Sequence, residues 1–163
     1  MAQNRERFNI VAGPEFRRVA DALREIDASF PGKLRRELRK AMTPVLRDVR
    51  QAALSLPARS GQHSGLRQRL ARGVAVRASV GRRSAVRIVT RMAEPDQAAL
   101  PRGEDSGAHG FRHPVFGHNP WVHQAGGSWF RETIIEDKDL IERKINGVLE
   151  EARTTVVRAG GRL

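Results

Sequence analysis

Three apolar stripes at helical spacing restrict this chain to an architecture built largely from amphipathic helices. In the first, Phe16, Val19, Ala20, Leu23 and Ile26 recur every three or four residues, with Arg17, Arg18, Asp21 and Glu25 between them. That period gathers the apolar side chains on one side of a helix and the charges on the other. Pro14 suits its first turn, and Ser29-Phe30-Pro31-Gly32 breaks the pattern. The second stripe is Leu34, Leu38, Ala41, Met42, Val45, Leu46, Val49 and Ala53. It predicts a helix from Lys33 to Ser55 with a kink or break at Pro44, whose ring and missing N–H interrupt the hydrogen-bond ladder. The third runs through Leu140, Ile141, Ile145, Val148, Leu149, Ala152 and Val156. Asp137 and Asp139 suit its N-terminal end and Gly160-Gly161 its stop.

Between the second and third stripes the period changes. Gly65 to Leu70 reads as a short helical turn. Val74, Val76, Ala78 and Val80 then alternate with Ala75, Arg77 and Ser79, the two-residue period of a half-buried strand. Gly81-Arg82-Arg83-Ser84 makes a turn, and a second strand follows from Ala85 to Arg91 with Val86 and Ile88 on one face. Two strands alone are marginal, so the pair must extend into a larger sheet or pack on helices. A polar loop without a period spans about 93–112 and reads as exposed, ordering against a neighbouring molecule. A further strand is expected near Trp121 to Gln124. The whole predicts an α+β fold: long amphipathic helices on a small antiparallel sheet, closed by a C-terminal helix. Residues 1–13 read as a flexible arm and 14–163 as a single domain.

Charge is unevenly spread. The chain of 163 residues carries a net +12. Residues 33–92 hold sixteen Lys and Arg against Glu37 and Asp48, while the segments on either side are close to balanced. A one-sided field of this kind attracts polyanions or acidic protein surfaces. The candidates to meet such a partner are Arg35, Arg36, Arg39, Lys40, Arg67, Arg69, Arg77, Arg82, Arg83 and Arg87. Arg outnumbers Lys 26 to 4; codon bias is the favoured explanation, ahead of bidentate phosphate binding. Residues 33–92 contain no aromatic, so they offer no platform on which bases could stack. Contact with DNA would therefore be nonspecific and through phosphates.

Reactive chemistry finds little to work with. Absence of cysteine excludes disulfides and thiolate metal sites. His109, His113, His118 and His123 lie close in sequence, but Pro and Gly between them fix no common face, so histidines at a surface or interface are the plainer reading. Glu104-Asp105 is an acidic pair in a polar loop with no sign of a pocket, and no serine sits in a nucleophile elbow. No phosphate-cradling loop or dinucleotide fingerprint occurs. The expectation is a protein without catalytic residues, metal or cofactor. The polar N-terminus is no signal peptide, and no apolar run is long enough to span a bilayer. The aromatics concentrate in residues 111–130, and Phe111, His113, Phe116, Trp121, Trp129 and Phe130 are the expected subunit-interface residues.

The order of these pieces resembles a family of siphophage proteins, the tail-completion or head–tail joining proteins. The resemblance is carried by a long basic helix, the Gly65-Leu66-Arg67 turn, a strand pair and a long loop. The segment from Phe111-Arg112-His113-Pro114 through Trp121-Val122-His123-Gln124 to Trp129-Phe130 is similar to the version found in phages of actinobacteria. It covers about residues 15–158. It implies a non-enzymatic, ring-forming neck subunit, about six-fold, that joins tail to head around the DNA channel. Its implied partners are further copies of itself, the adaptor, stopper or tail-terminator proteins, the tail tube and the packaged DNA. Its implied location is the virion, with assembly in the host cytoplasm. A tail terminator or minor tail protein of the same particle, and a nonspecific nucleic-acid-binding protein, are the alternatives.

Overall fold

The computed structural model describes residues 7–11, 14–57, 65–81, 84–115 and 118–159. It is an α+β fold with helices dominant. The elements are, in order, β1 (Arg7–Val11), α1 (Pro14–Ile26), α2 (Phe30–Ala41), α3 (Thr43–Leu54), α4 (Leu66–Gly73), β2 (Val74–Ser79), β3 (Ala85–Thr90), α5 (Leu100–Glu104), β4 (Phe111–Val115), β5 (His118–Gln124), α6 (Trp129–Glu136) and α7 (Lys138–Arg158). The chain divides into two compact units. One gathers Met1–Arg7, Leu46–Ala75 and Val89–Glu136; the other gathers Phe8–Val45, Val76–Ile88 and Asp137–Leu163.

In the second of these units α1, α2 and α7 pack pairwise on one another. The stripes supply the contact. Phe16, Val19, Ala20 and Leu23 of α1, Leu34 and Leu38 of α2, and Ile141, Ala152 and Val156 of α7 are all buried. Each large aliphatic or aromatic residue taken from water contributes roughly 1.5–3 kcal/mol before entropy is counted. The break between the first two helices is shorter than expected. Only residues 27–29 interrupt them, because Pro31 sits in the first turn of α2, where its missing N–H costs nothing. The break at Pro44 falls as expected: α2 ends at Ala41, Met42 follows, and α3 starts at Thr43.

A three-stranded sheet has the order β1-β3-β2. Five residues link β2 to β3, a connection too short for any but antiparallel neighbours. β3 lies in the middle, and Ala85, Val86, Ile88, Val89 and Thr90 are all buried, so both of its faces are covered. The sequence period marks only the Val86 and Ile88 face of this strand as buried, and Ala85 and Val89 cover the other as well. The third strand, β1, comes from the stretch read as an arm; residues 1–6 and 12–13 lie outside the described residues.

The stretch expected to be an exposed loop, 93–112, is folded. A 3-10 turn at Pro95–Gln97, helix α5 and a second 3-10 turn at Gly107–His109 fill most of it, and Pro101, Gly103 and Glu104 are buried. It leads into the antiparallel β4–β5 hairpin, which contains a cis Asn119–Pro120 bond. Two glycines permit this junction. A Cβ on Gly103 would stand 2.5 Å from the Phe111 ring. Gly110 has φ +64°, and a Cβ there would run into the Gln124 carbonyl.

Candidate interaction surfaces

The hairpin register sorts its side chains onto two faces. Phe111 pairs with Gln124, Arg112 with His123, His113 with Val122 and Pro114 with Trp121. Alternation therefore puts Phe111, His113 and Gln124 on one face and Arg112, Trp121 and His123 on the other. The first face is locked. Gln124 Nε2 donates to Glu104 Oε1 at 2.9 Å, which turns the Gln124 amide oxygen toward His113. His113 Nε2 lies 3.1 Å from that oxygen and so must carry the proton and donate. The His113 ring also packs on Phe111, centroids 5.2 Å apart. The second face is displayed: Trp121 is 54% exposed, with Arg112 and His123 exposed beside it. His123 Nε2 donates to the His109 carbonyl at 3.1 Å, which ties the base of that face to the preceding turn.

The other expected interface aromatics divide. Trp129 and Phe130 are 5% and 3% exposed, and they meet edge to face with centroids 5.5 Å apart. They belong to the core of their unit and are not displayed on its surface as Trp121 is. Phe111 and His113 are half-buried on the locked face. Phe116 lies outside the described residues. Glu104 and Asp105, read as a solvent-facing pair, are structural. Glu104 receives Gln124, and Asp105 Oδ1 accepts the backbone N–H groups of Phe130 at 2.7 Å and Arg131 at 3.3 Å. Their partners lie 20 to 26 residues away, beyond the reach of any local period.

The arginines fall into sets by unit. On α2, Arg35, Arg36, Arg39 and Lys40 are exposed. The Arg35 Nε donates to the Pro31 carbonyl at 3.3 Å, while Arg36, Arg39 and Lys40 take part in no ion pair among the described residues. Also in that unit, Arg77 is exposed and Arg87 half-buried; Arg82 and Arg83 lie outside the described residues. In the other unit Arg67 and Arg69 are half-buried on α4. Exposed Arg50 and Arg72 flank a groove of about 490 Å³ that also includes Leu54, Gln68 and Ala71. Arg50 Nη2 donates to the Val74 carbonyl at 3.0 Å.

That unit also holds a second cavity, of about 290 Å³, between the end of α3 and α6. Ala52, Leu56 and Trp129 are its apolar side, and Glu132 and Glu136 stand over it. Neither carboxylate has an ion-pair partner among the described residues. The sequence signal for it was present: two acids four residues apart in a short helix carrying Ile134 and Phe130 inward. Among the described residues no three of His, Asp and Glu gather as metal ligands would. Nor is any helix among them long and apolar enough to cross a membrane. Comparison with protein-family models, curated sequences and solved structures returns no match for this chain.

Proposed function

We propose that this chain is a structural subunit of a tailed-phage particle, a non-enzymatic neck or tail-completion protein that forms a ring at the head–tail junction. The observation that carries the reading is the β4–β5 hairpin. Its inner face is fixed by Glu104, Gln124 and His113, and its outer face holds Trp121 out to solvent. A large, rigid aromatic on a braced ribbon is the kind of anchor that protein interfaces use, because little side-chain entropy is lost when it docks. Arg36, Arg39 and Lys40 of α2, without an ion pair among the described residues, suit the acidic surfaces or phosphates that such a ring would meet. The element order resembling tail-completion proteins supports the same reading. Partners would be copies of this chain, adjoining neck and tail-tube proteins, and DNA passing through the channel.

The test is the mass distribution of the purified full chain. A closed ring of about six copies is expected. Trp121→Ala should lose the ring while keeping its unfolding temperature, since the side chain is mostly solvent-exposed. A chain that stays monomeric at all concentrations would sink the proposal, and a Trp121→Ala ring as stable as the parent would remove Trp121 as its anchor. The cations on α2 also favour a second reading, nonspecific nucleic-acid binding. Tight duplex binding by the monomer, weakening steeply with salt, would favour it instead.

A further inference from the structure

We infer that the acidic cup on α6 is the socket for the basic face of α2 on the next copy of this chain. This rests on the ring reading and specifies which patches meet. In a closed ring each subunit presents one surface to one neighbour and a different surface to the other, so two complementary patches are required. The cup has the features of a socket. Its wall is apolar through Leu56 and Trp129, and its two carboxylates, Glu132 and Glu136, have no ion-pair partner among the described residues. Such a site fits a cation on a long aliphatic stem, which lays its methylenes on the apolar wall and its charge against the carboxylates. The plug matches in spacing as well as sign. Glu132 and Glu136 are one helical turn apart, and so are Arg36 and Lys40. Two helices laid side by side can therefore join both pairs at once.

Charge exchange tests it on the full chain, with association measured by sedimentation and folding by thermal melting. Glu132→Arg with Glu136→Arg should weaken association at least roughly tenfold, and so should Arg36→Glu with Lys40→Glu. All four sites are exposed, so melting should hold. The four changes combined in one chain should restore assembly, because the charges are then exchanged across the same interface. That restoration also excludes misfolding as the cause of the losses. Rings that survive either double variant would overturn this pairing and leave the ring reading standing. Failure of the combined variant to recover would likewise overturn it. A monomeric parent chain would sink both.

Discussion

Asp105 and Asp27 each hold the start of a helix with a carboxylate, and they do so under opposite conditions. Asp105 reaches across 25 residues to the first N–H groups of α6, in half-buried surroundings beside Glu104 and the Trp129–Phe130 pair. Asp27 works locally. Ser29 donates to it through both its hydroxyl and its backbone N–H, each at 2.7 Å, and Lys33 adds a contact at 3.2 Å. The Asp27 turn is open to water and needs no distant residue. The Asp105 junction exists only when the unit is folded, and the unit depends on it in turn. The same side chain is thus a convenience at one place and a constraint at the other, and surroundings decide which.

The sharpest way to break this contrast is to remove what Asp105 positions. Trp129→Ala opens a hole beside Phe130 at the start of α6, and the expected loss is about 3–5 kcal/mol of unfolding free energy. Domains of this kind are stabilised by roughly 5–15 kcal/mol in total, so denaturant melts should show a partly or wholly unfolded protein. A small loss would mean that Trp129 is not core. Next in size is Asp105→Ala. It leaves the Phe130 and Arg131 N–H groups without their acceptor, and about 1–2 kcal/mol should go, the ordinary cost of a lost helix cap. Asp105→Asn, which keeps an acceptor oxygen, should recover most of that.

The contrast also explains what could be read from the chain. The α1, α2, α3 and α7 stripes were legible because their partners recur every three or four residues, and Pro44 marked its own break. The β4–β5 junction was not. Glu104, Asp105 and Gln124 acquire their roles from one another across 20 residues or more, and a polar run without period hides that. Trp121 and Trp129 look alike in sequence, yet strand alternation turns one outward and the helix turns the other in. The strand β1 did leave a signal, since Phe8 and Ile10 alternate with Arg7 and Asn9. The basic face of α2 was legible in sign and position. Its acidic counterpart on α6 was visible only as two glutamates until the cavity beneath them was formed.

The smallest expected effect lies at Asp27, and it sharpens the contrast from the weaker side. Hydrogen bonds from Ser29, first its hydroxyl and then its backbone N–H, together with Lys33, lower this carboxyl from 3.8 to about 2. A lowered folded-state value means that the turn contributes in full above the ordinary carboxylate range. The contribution then fades as pH falls toward about 2, where the folded carboxyl itself takes up a proton. Because the group is exposed, solvent screens the interaction, and unfolding curves at neutral pH should barely register its removal. The carboxyl carbon resonance of Asp27, followed by NMR through an acid titration, reads it directly. The midpoint should lie near 2 in the parent chain and move up toward the ordinary value in Ser29→Ala, which removes the largest contribution. Lys33→Ala should move it less. A parent midpoint already at the ordinary value would mean that the turn is not closed in solution, and the two carboxylates would then differ in occupancy as well as in worth.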